Sequence, residues 1–185
     1  MKFDHDNISP LDSRYANKIS ELRGNFNESA LIQIRFNIEI EWLLYICINL
    51  PKTFKPLSKQ SIKKITKFKD SFDNKSILKI KKIESITNHD VKAVEYYIRD
   101  QFLKDKVLST YTHLIHFGLT SEDINSLSYA HMIKNGISIY IMELDKVNKI
   151  LKNYSKKWAK QPFLARTHGQ AASPSTLGKE FKVFH

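Results

Sequence analysis

One long apolar segment constrains the fold of this chain more than any other feature. It runs from Ser29 to Leu50 and ends at Pro51, with no turn signal inside it. Isoleucine and phenylalanine alternate with polar residues between Ile32 and Ile40, which by itself is a strand pattern. The segment is more than 20 residues long, whereas ordinary strands have about 3–10 residues. The sequence therefore predicts a helix here that is buried on most sides.

The rest of the chain also favours helices. Glycine and proline are sparse, with five of each, and no strong strand-turn-strand pattern is present. Thr87 and Asp90 have the spacing of a capping box, so a helix is predicted to start near them. A long helix with an apolar stripe is predicted from Thr120-Ser121 to about Trp158. The stripe consists of Leu127, Ala130, Ile137, Ile141, Leu144, Val147 and Leu151.

A third helix is predicted to start at Ser173-Pro174, because a cap-forming serine followed by proline is typical of a helix start. This helix would make only a few turns before His185, and no C-cap signal follows it. A short final helix without a C-cap signal predicts that this chain is one part of a longer protein.

The net charge of +11 is concentrated in one segment. Residues 52–82 hold eleven lysines against Asp70 and Asp73, so this segment carries +9. Apolar residues recur in it at helical spacing, namely Ile62, Ile65, Phe68 and Phe72. The pattern predicts a solvated, lysine-rich helix. A basic nucleic-acid-binding module is the alternative, although no arginine or aromatic interleaving in the segment supports base recognition.

The sequence contains no signal for several other classes of protein. The single cysteine, Cys47, excludes an internal disulfide and fits a reducing cytoplasm. Residues 1–6 lack the apolar stretch of a signal peptide, and no apolar run approaches the ~20 residues of a membrane span. His113 and His116 have helical spacing, but no further ligand completes a metal site near them. A phosphate-binding glycine-rich loop is absent as well.

Three positions carry polar side chains that suit an anionic substrate. They are the helix starts Asn88-His89-Asp90 and Thr120-Ser121, and the turn His168-Gly169-Gln170 ahead of the third helix. Helix N-termini present free N–H groups and a partial positive charge, so several that converge would form an anion pocket. Taken singly, Thr120-Ser121 reads as a cap and His89 as a structural histidine. The His168 turn is less readily explained as a purely structural feature, because Gln170 has no capping duty there.

Four motifs together resemble one enzyme family. They are Ser13-Arg14-Tyr15, the run from Thr87 to Tyr96, the run from Ile115 to Asn125, and Arg166 to Gln170. In this order they resemble adenylosuccinate lyases, of the fumarase, aspartase and argininosuccinate lyase superfamily, and most closely the bacterial purine-pathway form. The resemblance covers essentially the whole chain. Ala171 and Ser173 depart from the usual proline and threonine, and neither change removes a functional group.

The resemblance implies a fold and an assembly. The expected fold is all-α, with an N-terminal helical domain over residues 1–109 and the beginning of a central helical-bundle domain over residues 110–185. Members of this family are homotetramers, whose active sites draw residues from three subunits. The resemblance therefore implies a cytoplasmic enzyme that works on small molecules and binds neither nucleic acid nor membrane.

The implied reaction is the β-elimination of fumarate from adenylosuccinate, which gives AMP. The family also cleaves the succinylated aminoimidazole carboxamide ribotide, and it needs no cofactor or metal. His168 matches the general acid, and a histidine has a suitable pKa for this role near neutrality. His89 matches its catalytic partner, which holds the substrate or tunes its protonation.

Seven positions match substrate-binding residues of the family, and His89 is one of them. Arg14 and Tyr15 match residues that grip the nucleotide phosphate. The others match substrate contacts and a carboxylate cradle, namely Asn88, Asp90, Thr120 and Ser121.

The family's general base is a serine on a flexible loop, and no segment here matches its signature. We therefore expect a portion of the enzyme with little activity alone, and with exposed bundle-facing residues on the 121–158 helix that promote aggregation. Argininosuccinate lyase is disfavoured by the Asn88-His89-Asp90 run. A non-functional remnant and the basic nucleic-acid-binding module are the remaining alternatives.

Overall fold

The computed structural model describes residues 9–185. The predicted absence of a signal peptide concerns residues 1–6, which lie outside this range. The described chain divides into two compact units, the first ending at Gly136 and the second running from Ile137 to His185. The predicted domain boundary near residue 109 stays a prediction. Within residues 9–185, no helix is both long enough and apolar enough to cross a membrane.

Helices dominate the described residues. The first unit contains α1 (Ser20–Phe26), α2 (Glu28–Asn49), α3 (Lys59–Asp70), α4 (Asn74–Thr87) and α5 (Asp90–Phe102), with 3-10 helices at Ala16–Lys18 and Leu108–Leu114. Helix α6 (Ser121–Lys157) begins in the first unit and continues into the second. The second unit also contains β1 (Pro162–Thr167), β2 (Gln170–Thr176) and α7 (Leu177–Lys182).

Helix α2 lies at the centre of the first unit. The prediction of a helix is confirmed, and Asn27 caps its start by accepting a hydrogen bond from the Ala30 N–H at 2.7 Å. Phe36 is fully buried, and its ring stacks on that of Phe72 with centroids 4.3 Å apart. The helix is buried on fewer sides than the sequence predicts, because Tyr45 is more than half exposed. Its buried face organises the core that positions α5.

The lysine-rich segment forms two helices rather than one, so the prediction of a single helix is wrong. Helix α3 ends at Asp70, and Asp73 starts α4 through a capping box in which it accepts the Ser76 N–H at 2.9 Å. Ile65 of α3 and Ile80 of α4 are both fully buried. The break lets two short helices each turn one apolar side toward α2.

The lysines lie on the solvent side of these helices, as the sequence predicts. Eight of the eleven are exposed. The three half-buried ones each form an ion pair, with Asp105, Glu41 and Glu28, and they are Lys64, Lys69 and Lys81. Such surface pairs contribute little to stability, so this face is a solvated surface.

The apolar stripe of α6 is largely uncovered. Its residues Leu127, Ile137, Ile141, Leu144 and Val147 are each about half exposed. The predicted exposure of this stripe is therefore confirmed. At Gly136 of the same helix, the ring of Phe26 occupies the place that a Cβ would take.

The second unit contains a β-hairpin that the sequence reading missed. Ser173 and Pro174 lie inside β2, so the prediction that they start a helix is wrong. Leu164 pairs with Pro174, and next to this pair Ala165 faces two residues of β2, which is a β-bulge. Proline is tolerated here because each strand of a two-stranded hairpin has an unpaired outer edge. Helix α7 starts three residues later, at Leu177, with Thr176 as its cap.

Helix α7 closes the carboxyl end of α6. The Gly178 N–H donates to the Trp158 carbonyl oxygen, and the Leu177 N–H donates to the Gln161 carbonyl oxygen, both at 2.9 Å. Phe181 of α7 packs on Trp158 with ring centroids 5.3 Å apart. Gly178 is buried against the backbone of Ser155 in α6 and of Ala159 just after it, which leaves no room for a side chain.

Candidate active site

Two helices meet at Asn88 and His89. Asn88 ends α4 in the left-handed conformation (φ 50°), which asparagine tolerates better than most residues. His89 then caps α5, as its Nδ1 accepts a hydrogen bond from the Lys92 N–H at 3.3 Å. The neutral His89 ring therefore carries its proton on Nε2.

The predicted helix start at this position is confirmed, but the predicted capping box is wrong. His89 takes the capping role, whereas the Thr87 hydroxyl donates to the Ile83 carbonyl oxygen at 3.1 Å within α4. Asp90 is the first residue of α5 and does not reach back to Thr87, because its carboxylate is engaged elsewhere.

Both carboxylate oxygens of Asp90 are engaged within the protein. Oδ1 accepts from the Val91 N–H at 2.8 Å, and Oδ2 lies 2.7 Å from the Arg35 Nη2. Partial burial opposes ionisation of Asp90. The Val91 N–H and the Arg35 guanidinium outweigh it and hold the pKa of the carboxyl below its ordinary value.

Arg35 joins the start of α5 to the start of α6. Its side chain is only 5% exposed. Besides Asp90, it binds the Asn125 Oδ1 through Nε at 3.1 Å and through Nη2 at 2.8 Å. The sequence reading missed Arg35. The available signal was a charged residue within the apolar segment, but its partners are distant in the chain and no local pattern indicates them.

The Thr120-Ser121 start of α6 is confirmed, and Thr120 has a capping duty. Its hydroxyl oxygen accepts the Asp123 N–H at 3.4 Å. In return, Oδ2 of Asp123 accepts from the Thr120 backbone N–H at 2.7 Å and from its hydroxyl at 2.8 Å. These bonds lower the pKa of the Asp123 carboxyl. Ser121 is the first residue of the helix, and its hydroxyl has no hydrogen-bond partner within residues 9–185. The substrate-binding role of both residues stays a prediction.

Helix α2 contacts the turn that precedes Thr120. His116 adopts a left-handed conformation (φ 61°), and its Nδ1 lies 2.6 Å from Oε1 of the fully buried Glu39. The hydrogen bond to Glu39 raises the pKa of His116. One residue on, the Phe117 carbonyl oxygen accepts from the Trp42 Nε1–H at 2.8 Å. The sequence analysis considered His116 as a metal ligand and as part of a family motif, and it missed the pairing of His116 with Glu39.

We expect Glu39→Gln to destabilise the chain most at low pH, by about 2 kcal/mol at pH 6. The raised pKa means that protonated His116 stabilises the fold fully below its unfolded pKa of about 6.5, and that this contribution is lost as pH rises through the folded pKa. Urea unfolding at pH 6 and pH 9 measures the difference. Glu41→Gln, in an exposed pair with Lys69, is the control and should change little. An equal loss at both pH values would contradict the prediction.

Arg14 and Tyr15 form a small cationic cluster near the start of the first unit. The Arg14 guanidinium lies 5.4 Å from the centre of the Tyr15 ring, and the Lys18 ammonium lies 5.9 Å from it. Two cations that share one exposed ring suit a phosphate. Within residues 9–185, no hydrogen bond or ion pair joins this cluster to the start of α5, and its predicted role stays a prediction.

His168 occupies the tip of the β-hairpin in the second unit. His168 (φ 52°) and Gly169 (φ 75°) are the two central residues of a type I′ turn, between Thr167 and Gln170, which pair. The Arg166 Nη1 donates to the Gly169 carbonyl oxygen at 3.2 Å and braces the turn. The His168 side chain is exposed. The other predicted site residues belong to the first unit.

Gly169→Ala should destabilise the second unit by about 1 kcal/mol, because a Cβ disfavours positive φ. The site around Gly169 is open, so a steric clash adds nothing to this cost. Gly24→Ala is the matched control, since Gly24 is equally open but helical, and there alanine should stabilise slightly. Thermal unfolding of the two variants checks the opposite signs, and a shift in the same direction for both would contradict this explanation.

Each unit, taken by itself, presents groups that can interact with a substrate. The first unit presents two helix starts linked by one buried arginine, together with an exposed cationic cluster. The second unit presents an imidazole on a braced turn. The groups of the first unit suit an anion, and an imidazole such as that of the second unit can transfer a proton.

The chain is similar to known proteins along most of its length. A protein-family model described as "Lyase" matches residues 13–185. An adenylosuccinate lyase of Buchnera aphidicola subsp. Schizaphis graminum is 40% identical over 181 residues, which are 96% of this chain and 40% of the relative. The adenylosuccinate lyase of Escherichia coli (strain K12) is 38% identical over 175 residues, which are 94% of this chain and 38% of the relative. This chain therefore spans about 40% of the length of these relatives.

A solved structure shares the fold. The crystal structure of a fumarate lyase from Mesorhizobium sp. BNC1 superposes with a TM-score of 0.70 at 18% identity, covering 89% of this chain and 36% of that one. The predicted class, a helical domain followed by the start of a long-helix bundle, is thus confirmed, and the β-hairpin is a departure from it. The resemblance inferred from the four motifs is confirmed as well.

Proposed function

The chain belongs to the lyase family, and from this premise we propose that it supplies the substrate-binding helix starts and the proton donor of an adenylosuccinate lyase. The reaction is the β-elimination of fumarate from adenylosuccinate to give AMP, and from the succinylated aminoimidazole carboxamide ribotide. The observation that carries this proposal is the pairing of the α5 and α6 starts through Arg35. Relatives named adenylosuccinate lyase align across both helix starts at about 40% identity.

The proposed reaction consists of one proton removal, one bond cleavage and one proton donation. A base removes a proton from the carbon beta to the leaving nitrogen, and the electron pair of that C–H bond forms the double bond of fumarate. The C–N bond breaks, and His168 protonates the nitrogen that leaves. The neutral His89 ring, which carries its proton on Nε2, donates a hydrogen bond to the substrate.

The remaining groups would bind the charges of the substrate. Arg14 and Tyr15 would hold the phosphate, and Ser121 a carboxylate at the α6 start. Asn88, Asp90 and Thr120 keep the substrate-contact roles that the resemblance implies. In the resembled family the base is a serine. This serine would come from the part of the enzyme that lies outside the 40% of the relative's length that this chain matches.

Assembly and location complete the proposal. We propose that the half-exposed apolar stripe of α6 packs in the core of a homotetramer, and that the enzyme works in the cytoplasm without cofactor or nucleic acid. Sedimentation of the active protein tests the tetramer. The comparisons do not support the alternative of a nucleic-acid-binding module.

A chimera tests the function. This chain replaces the matched 38% of the Escherichia coli relative, and the product is introduced into a strain that lacks adenylosuccinate lyase and requires adenine. We expect growth without adenine, and fumarate release from adenylosuccinate by the purified protein. The chain alone is the control and should not support growth.

The outcome that would overturn the proposal is also defined. A folded, tetrameric chimera that leaves adenylosuccinate intact, or that releases fumarate from argininosuccinate instead, would exclude this substrate. Circular dichroism and sedimentation establish that the chimera is folded, so that a failure of folding is not mistaken for a lack of activity.

A further inference from the structure

We propose that Arg35 is a positioning residue, which holds the starts of α5 and α6 at the spacing that a substrate with several anionic groups requires. The inference rests on the proposed function. Arg35 contacts no residue to which we assign a proton transfer, and it acts through Asp90 and Asn125. It lies in the middle of α2, on the buried face of that helix.

Because Arg35 is buried, its charge requires partners within the protein. A guanidinium is the cation of choice for buried ion pairs, and a buried charge is costly unless it is paired and hydrogen-bonded. Asp90 supplies the negative charge, and the Asn125 Oδ1 accepts from two of its N–H groups. The planar guanidinium presents these donors in a fixed fork, so both partners must take defined places around it.

Each partner is tied to a helix start. Asp90 is the first residue of α5 and follows the capping His89 directly. Asn125 lies four residues after Ser121, so these two residues share one face of α6. A shift of Arg35 would therefore move His89 and Ser121 relative to each other, although it contacts neither.

The kinetic test uses the active chimera. Arg35→Lys keeps a charge for Asp90 but loses the fork that also binds Asn125, and Asn125→Ala removes the α6 contact while leaving the ion pair intact. We expect both variants to raise the KM for adenylosuccinate by about 10-fold and to change kcat less than about 3-fold. Arg23→Lys, at a surface pair with Asp12, is the control and should leave KM unchanged.

A second measurement needs no activity and uses the chain as it stands. The amide signal of Lys92 reports the cap of α5, since this N–H binds His89. We expect Asn125→Ala, on the other helix, to shift the NMR signal of Lys92. The shift should disappear when Asn125→Ala is made in the Arg35→Lys background, because the connection is already lost.

Failure of the inference and failure of the proposed function are distinguishable. A Lys92 signal that ignores Asn125→Ala, or that responds equally in the Arg35→Lys background, would overturn the connection whether or not the chimera is active. A loss of stability in Arg35→Lys with an unchanged KM would reduce Arg35 to a purely structural residue and would also overturn the inference.

Discussion

Replacing His168 with asparagine should lower kcat of the active chimera by about 10²–10⁴-fold, the usual contribution of a general acid. Asparagine is the informative replacement, because it tolerates the left-handed conformation (φ 52°) that His168 adopts, whereas alanine would strain the turn. The turn and its brace from Arg166 should therefore remain while the proton donor is lost.

The measurement is fumarate release at saturating substrate across a range of pH. The KM should change little, since the phosphate and carboxylate contacts that we propose lie elsewhere in the chain. His113→Ala is the control, because His113 is exposed and has no assigned role. A kcat for His168→Asn within 10-fold (about 1.4 kcal/mol) of the parent would exclude His168 as the acid.

Gly178→Ala should destabilise the second unit by about 3 kcal/mol or more. A Cβ at this position would meet the Ser155 carbonyl oxygen and the backbone of Ala159. Backbone atoms of a helix cannot move aside in the way that a side chain can, so α7 would have to separate from α6. That movement would break the Gly178 hydrogen bond to the Trp158 carbonyl oxygen.

The chain provides a matched comparison and a specific probe. In Gly136→Ala the new Cβ meets the ring of Phe26, a side chain that is half exposed and can rotate away. We expect that variant to stay within about 1 kcal/mol of the parent, helped by the helix propensity of alanine. Trp158 fluorescence in a Trp42→Phe background follows urea unfolding of the second unit. Equal losses for the two glycines would contradict the steric argument.

The helices were predictable where length and apolar spacing agreed. For α2 the length decided against a strand, and for α6 the cap at Thr120 and the apolar stripe indicated both its start and its extent. The hairpin was not predictable in this way. Its strands are mostly exposed and lack an alternating apolar pattern, and its turn uses His168-Gly169 rather than the common Asn-Gly.

The candidate site was predictable only in its exposed parts. The polar helix starts are local signals, so the sequence indicated His89, Thr120 and Ser121 directly. Arg35 and Glu39 were missed because their partners lie 55 to 90 residues away for Arg35 and 77 residues away for Glu39. In the sequence they look like two more of the polar residues that alternate with apolar ones along α2, and only the tertiary contacts show their role.

The closure of α6 by α7 also has a consequence for synthesis on the ribosome. The carbonyl groups of Trp158 and Gln161 are satisfied by amides of Gly178 and Leu177, which are made later. While these residues are still inside the exit tunnel, the end of α6 lacks its partners and the hairpin lacks its final strand residues. The end of α6 therefore acquires these hydrogen-bond partners only after α7 has emerged, however early α6 itself has formed.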